Sequence, residues 1–454
     1  MEYSSRAGYF GGFLLFLTAF INFFVENTQI QFLIEKTGQH KIILFYLLFC
    51  FSGMLLFEWW AVTRFNQKHK VSNAIKKNKQ SISHLLKSSF YRIAAIVLLL
   101  ALGYFIIHSH YYFQHADFAI TRSYYQYFLS LFLIIGIPYC FLTLKYKGGS
   151  HYEFNDYGIL LMISYRSLFK WLWSKLIAFF SSNKAASNKP TRKKVHKKLI
   201  KPIRFLKNKR IGKVYLVFLV NFFFLTLMTK FMVMEFSQMQ LALTQILSDS
   251  YAMFNDFQKF HIWYLMLYHL IFYIDGGIAL IGYTIASRWL NNRTKSVDMT
   301  FYGWFVVLLC YPPMNAGFTD QFIGYARFPT YGVVTSEWLR MVLMSLILFS
   351  FSIYVWATLA LGFKFSNLTN RGIISHGPYR FFRHPAYASK NVAWWLDNTY
   401  VLSNIWATAT LLCWNVIYML RAFTEEKHLA KDVNYRDYMK RVKSRFIPGK
   451  YQAK

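Results

Sequence analysis

Gly372-Ile-Ile-Ser-His-Gly-Pro-Tyr-Arg-Phe-Phe-Arg-His-Pro-Ala-Tyr387 is a polar interruption in a chain that is otherwise mostly soluble in lipid. It holds two His, two Arg, two Pro, two Gly and two Tyr, and long apolar runs flank it. Gly377-Pro378 makes a tight turn, and Pro385 is excluded from a normal helix interior. Non-helical backbone at membrane depth is tolerated only inside protein or against a watery cavity. The chain is therefore expected to be a membrane scaffold that holds this loop over a pocket at the membrane surface. If a helix starts at Pro385, His384 and Tyr387 share one of its faces. Arg380 and Arg383 are also three apart, and such a loop suits a ligand with carboxylate or phosphate oxygens.

The composition sets the class. Of 454 residues, 55% are hydrophobic and 20% aromatic, which is too apolar for an ordinary soluble protein. The formal net charge of +33 sits in the stretches between apolar runs. That placement favours anionic lipid as the partner of the basic loops, and no recognised nucleic-acid fold accompanies it. Cys50, Cys140, Cys310 and Cys413 fall far apart inside apolar runs, so buried free thiols are expected and no metal. His108, His110 and His115 form the only histidine cluster, too few for a di-iron centre.

Taken in order, candidate spans cover Gly8–Val25, Lys41–Val62, Ile93–Ile107, Tyr124–Leu144, Val214–Met234, Ile262–Ala286, the short Phe301–Pro312 and Glu337–Phe363. Asn391–Arg421 reads as a hairpin turning near Leu402–Asn404. Tyr157–Phe180 is interrupted by Arg166, Lys170 and Lys175 and reads as an amphipathic interfacial helix. Lys184–Lys213 carries thirteen basic residues and no acidic one, and reads as a linker. The expected fold class is all-α, a polytopic helical membrane protein of about ten spans with a cytoplasm-facing C-terminal cofactor site. Its expected parts are an N-terminal membrane region over 1–180, the basic linker over 181–213 and a C-terminal module over 214–454 with its core at 337–451. Alternating basic loops place the N- and C-termini in the cytoplasm.

A second polar stretch follows the hairpin. Arg421, Glu425 and Glu426 stand where the last apolar run ends, in a chain with only 19 acidic residues. By spacing alone, Glu425 pairs with Arg421 as a solvated helix end. Tyr435, Tyr438 and Arg441 then recur every three residues, with Asp437 one turn before Arg441, and Pro448 ends the segment.

In order and spacing, His376-Gly-Pro-Tyr-Arg-Phe-Phe-Arg-His-Pro-Ala-Tyr387, Glu425-Glu426, Tyr435-x-x-Tyr438-x-x-Arg441 and Phe446-Ile447-Pro448 resemble the isoprenylcysteine carboxyl methyltransferase family and the related phospholipid N-methyltransferases. The resemblance covers roughly Glu337–Tyr451. It implies an S-adenosylmethionine site at the cytoplasmic membrane face and a lipid-like or prenylated methyl acceptor. His384, Pro385 and Tyr387 would contact the cofactor, with His376, Tyr379 and Arg380 shaping the loop. Glu425 and Glu426 would close the site, and Arg441 with Tyr438 would face the acceptor. Ala386, the run Ala388-Ser389-Lys390 and Asp397-Asn398 depart from the family pattern and bear on the acceptor.

The residue types suit that chemistry. A carboxylate wants Arg, His or Tyr donors, an amine wants a Glu, and a sulfonium is favoured by aromatic faces. Two other readings compete. Sterol-type reductases share a similar tail with an Arg-His-Pro motif and use NADPH, and the Glu pair speaks against that. A non-enzymatic membrane protein with a degenerate site is the other.

Overall fold

The computed structural model describes residues 3–25, 39–68, 81–115, 118–146, 157–182, 208–284, 286, 290, 292–315, 317, 334–397 and 405–449. Residues 183–207 of the basic linker and the hairpin turn at Leu402–Asn404 lie outside them. The described residues are overwhelmingly helical. The main helices are α1 (Tyr3–Val25), α2 (Gln39–Lys68), α3 (Ile82–Ser109), α4 (Ala119–Tyr146), α5 (Tyr157–Ser182), α6 (Lys209–Ile246), α7 (Asp256–Thr284), α8 (Phe301–Leu308), α9 (Glu337–Leu361), α10 (Pro385–Asp397), α11 (Ile405–Leu429) and α12 (Val433–Arg441).

Among the described residues, seven helices are long and apolar enough to cross a membrane: α2, α3, α4, α6, α7, α9 and α11. The apolar run Arg6–Ile21 in α1 is shorter. The expected span at Phe301–Pro312 yields only the eight-residue α8, about 12 Å of helix. The hairpin is asymmetric, a 13-residue α10 followed by a 25-residue α11. The α5 helix, carrying Arg166, Lys170 and Lys175, is not one of the seven. Large side chains such as Phe45, Leu56, Leu98, Phe105 and Phe349 are more than half exposed on these helices. Lipid tails cover such apolar surface, and the helices satisfy their own backbone groups.

Two compact units result, Met1–Lys70 with Phe223–Lys454, and Val71–Phe222. The second holds α3, α4, α5 and the start of α6. Its core joins Ala95 and Leu99 to Leu161 and Val214, and Tyr165 donates to the Ala95 carbonyl at 3.1 Å.

The first unit carries the polar loop. Tyr264 of α7, Met344, Ile347 and Phe351 of α9 and Ala393 of α10 form one buried cluster. The Phe272 and Phe351 rings meet edge to face at 4.8 Å. Helix α1 packs on α2, α7 and α9. It comes so close to α9 that a Cβ on Gly8 would lie 2.1 Å from the Leu359 carbonyl oxygen and 2.7 Å from the Gly362 Cα. Small residues permit such backbone approach inside membranes.

Two short strands, β1 (Ser296–Val297) and β2 (Thr369–Asn370), pair antiparallel, with Ser296 opposite Asn370 and Val297 opposite Thr369. They fasten the segment before α8 to the segment after α9. Asp432, the N-cap of α12, adds its carboxylate to that clasp by accepting from Asn370 Nδ2 at 3.0 Å.

The tight α1–α9 seam predicts that Gly8→Leu destabilises the protein by about 1–3 kcal/mol, the usual cost of overpacking. The measurement is the thermal unfolding midpoint in detergent. An unchanged midpoint would contradict the close approach of Gly8 to α9.

Candidate functional site

The loop's shape follows from its glycines and prolines. Gly377 has φ +60°, a region other residues enter at a cost, and Pro378 follows at the first turn of a short 3-10 helix, Gly377–Arg380. A Cβ at Gly377 would also lie 2.8 Å from the Tyr9 hydroxyl of α1. Pro385 then opens α10, where a missing N–H costs nothing.

The chain's end backs the loop. The amides of Arg383 and His384 donate to the carbonyls of Ser444 and Arg445 at 3.0 and 2.9 Å, and the Gly449 amide donates to Phe381 at 3.0 Å. Tyr438 of α12 donates to the Tyr379 carbonyl at 2.7 Å. Tyr435, Tyr438 and Val442 pack against Ile373, Tyr379 and Leu429. The loop's backbone polarity is thus met by protein.

The adjacent acids divide their work. Glu426 is 4% exposed. Its Oε1 lies 2.8 Å from Arg383 Nε and 3.1 Å from His384 Nε2, and its Oε2 accepts from Arg445 Nε at 3.0 Å. Successive residues of a helix point about 100° apart, so Glu425 faces elsewhere. The Glu425 carboxylate accepts from the Tyr387 hydroxyl at 2.7 Å and keeps a 40% exposed side chain. The expected Arg421–Glu425 pair gives way to this Tyr387 bond. Arg421 donates instead to Asn367 Oδ1 at 2.5 Å and to the Tyr311 hydroxyl at 3.3 Å.

Around Glu425 lie three joined hollows of about 670, 560 and 370 Å3, all lined by Ser366 and Glu425. The largest is walled by Tyr354, Tyr379, His384, Tyr387, Lys390, Tyr418 and Arg421 among others. The second adds Lys364, Tyr435 and Tyr438, and the third adds Asp298, Thr424 and His428. The His384 and Tyr387 rings lie parallel, 5.3 Å apart with an 8° interplanar angle. Arg421 stacks over Tyr387 at 4.9 Å. Leu368, at the edge of the third hollow, holds φ +59°, a strained position for a leucine.

The structure brings His384, Pro385, Tyr387, Tyr379, Glu425 and Tyr438 to the cavity walls. Glu426 lies behind the wall. Arg380 is exposed, and neither it, His376 nor Arg441 lines these hollows. Arg441 donates to the Asp437 carbonyl at 3.4 Å. Sequence reasoning missed Ser366, Asn367, Lys390, Tyr354 and Arg421 as wall residues. Lys390 and Arg421 did carry a signal, since charge inside apolar runs marks function by default. Asn367 carried none, lying in an irregular turn.

The arrangement offers one accessible carboxylate, several aromatic faces and cationic donors in one enclosed space. Burial, with Glu425 nearby, holds the Tyr379 phenol well above its ordinary pKa. Neutral tyrosine hydroxyls therefore line the cavity at physiological pH.

The division between the acids is testable. Removing Glu426 strands the buried Arg383, a loss of about 3–5 kcal/mol. Glu426→Ala is expected to lower the unfolding midpoint sharply in detergent. Glu425→Gln, which can still accept from Tyr387, is expected to stay within about 1 kcal/mol of the parent. Equal losses in the two variants would overturn this assignment.

No curated protein and no solved structure matches the chain. Residues 333–431 match the model of the isoprenylcysteine carboxyl methyltransferase (ICMT) family. That stretch includes α9, the polar loop, α10, α11 and both acids, whereas Asp275, Asp298, Tyr311, Tyr438 and Arg445 lie outside it. Set among apolar spans, the match supports an integral membrane methyltransferase, with the ICMT family as the likeness of its C-terminal part.

Proposed function

We propose that this protein transfers a methyl group from S-adenosylmethionine to an amphipathic, lipid-like acceptor at the membrane face where the cavity opens. One observation carries the reading. The two halves of the family motif meet, the Tyr387 hydroxyl on the Glu425 carboxylate at 2.7 Å and His384 on Glu426 at 3.1 Å, beside a hollow that Glu425, His384 and Tyr387 line together.

The residues fit the cofactor's groups. Glu425, with one oxygen engaged by Tyr387, leaves acceptor capacity for an amine. Tyr379, Tyr387 and Tyr418 offer faces to a sulfonium. His384 and Pro385 form the adjoining wall, while Arg383 and Glu426 hold that wall in place. When bound, S-adenosylmethionine supplies an electrophilic methyl group on a positively charged sulfur. The chain's own task is to align acceptor and donor and to exclude water, which can supply most of the acceleration for an in-line displacement. A carboxylate acceptor needs no base. An amine acceptor must lose a proton, and Glu425 is the accessible carboxylate that can take it.

Other parts of this reading follow from charge. The basic stretches Arg64–Arg92 and Lys145–Lys213 put both termini and the loop on the cytoplasmic side and attract anionic lipid. In this reading residues 214–454 are the methyltransferase-like module, and the compact unit that holds 223–454 also takes in α1 and α2. Arg441 shapes the end of α12, and Arg421 takes the cationic place at the cavity wall.

Calorimetry on the purified protein in detergent separates this reading from NADPH-dependent reduction. S-adenosylmethionine is expected to bind and NADPH not to. His384→Ala and Glu425→Ala are each expected to weaken binding by about tenfold or more, the worth of one charge-assisted hydrogen bond. A folded sample that binds NADPH and not S-adenosylmethionine would sink the proposal.

A further inference from the structure

The cavity's charged groups are arranged unusually. Glu425, Lys390 and Arg421 stand at the wall of the largest hollow with Asp275 behind it, yet no direct hydrogen bond joins Lys390 to Asp275 or Arg421 to Glu425. The Tyr354 hydroxyl donates to Asp275 Oδ2 at 2.9 Å, and Thr358 donates to Asp275 Oδ1 at 2.5 Å. On the other side of that tyrosine, Lys390 Nζ lies over the Tyr354 ring at 5.5 Å and over the Trp394 ring at 5.3 Å. The second set repeats the pattern. Tyr387 gives its hydroxyl to Glu425 and its face to Arg421. In each case a tyrosine stands between the acid and the base.

This leaves the cations short of oxygen. Lys390 makes no hydrogen bond to a described residue. The oxygens that accept from Arg421, those of Asn367 and Tyr311, are both neutral. Both cations line the 670 Å3 hollow, together with Tyr311, Tyr354 and Tyr418. A lysine ammonium carries three N–H donors, and the half-buried Lys390 offers them to the hollow it lines. Asp275 comes from α7, outside the stretch that matches the family, whereas Tyr354, Lys390 and Arg421 lie within it.

We propose that this end of the cavity is an oxyanion subsite, in which Lys390 and Arg421 together hold a phosphate or carboxylate group carried by an amphipathic molecule. As the seat of the methyl acceptor's headgroup it rests on the methyl-transfer reading; as an anion site it stands alone. The amphipathic character follows from place. Lys390 sits on α10 against Tyr354 of the apolar span α9, among Trp394, Tyr418 and Leu361, so the molecule that brings the oxyanion there has apolar surface to cover. Asp275 itself is not free to bind Lys390 directly, because Tyr354 and Thr358 occupy both of its oxygens.

Calorimetric titration of the full-length protein in a neutral maltoside detergent tests this with hexyl phosphate, hexanoate, hexanol and inorganic phosphate. At least one of the two amphipathic anions is expected to bind saturably, about tenfold or more tighter than hexanol and than inorganic phosphate. Which anion binds tells a lipid phosphate from a carboxylate. Lys390→Met is expected to weaken that binding by about tenfold or more, Lys390→Arg to retain much of it, and S-adenosylmethionine affinity to stay unchanged in both. Hexanol binding as tightly as the anions in the parent protein overturns the subsite, whatever the variants do. So does anion binding unchanged in a Lys390→Met protein with the parent's unfolding midpoint. A parallel loss of S-adenosylmethionine and anion affinity in that variant also overturns it, by assigning Lys390 to the cofactor. Anion binding without any S-adenosylmethionine binding in the parent sinks the methyl-transfer reading and leaves the anion site standing.

Discussion

Everything at this site depends on one buried carboxylate. Glu426 gathers Arg383 and His384 from the polar loop and Arg445 from the chain's end. Burying those charges is expensive, and the mutual attraction repays it only when the geometry is good and the remaining lone pairs are filled. Here three basic side chains converge on two oxygens. The main-chain bonds from Arg383 and His384 to Ser444 and Arg445 then set the loop's height against the tail. A loop so held has few alternatives. Its His384 and Tyr387 rings lie parallel.

Fixing Glu426 is also what releases Glu425. Two neighbours on a helix cannot face the same way, so anchoring one toward the core turns the other to the cavity. The same economy of position runs along α11. Arg421 lies one turn before Glu425, near enough to form the expected helical pair, yet Tyr387 intervenes and takes both, the acid by its hydroxyl and the base by its face. A direct buried ion pair would cancel both charges. The interposed ring preserves them at some cost in Coulomb energy, partly recovered as cation–π attraction of about 2 kcal/mol when desolvated.

Much of this was legible in the chain. The apolar runs announced the spans because length and hydropathy alone decide what can cross a bilayer. The loop announced itself because two prolines and two histidines are out of place in such a run. Three things were hidden. Which of Glu425 and Glu426 faces the cavity depends on the rotation of α11, and adjacency carries no such information. Asp275, Tyr354 and Lys390 lie on three different helices, so no spacing in the sequence joins them. The β1–β2 clasp is two residues per strand, too short for any alternation to show. Arg380, Arg383 and Arg441 look alike in the sequence, but only Arg383 is buried in the acid cluster.

The family match covers the two ends of the cavity unequally. The groups that shape the loop end, His384, Tyr387, Glu425 and Glu426, all fall within residues 333–431. The far end is completed by Asp275 of α7 and by Tyr311, both outside that stretch. A cofactor is the same molecule wherever it is used, so its half of a site can be carried by a compact, repeatable motif. An acceptor differs from one protein to the next, and its half must be built from whatever helices a particular chain adds. In this chain α7 adds an acid within a span, and α10 answers it with a lysine. Neither charge is explained by crossing a membrane, since each would be cheaper there as a neutral residue. Tyr354 and Thr358 fill both oxygens of Asp275, whereas Lys390 lies over two rings, so the lysine's donors stay open to the proposed anion.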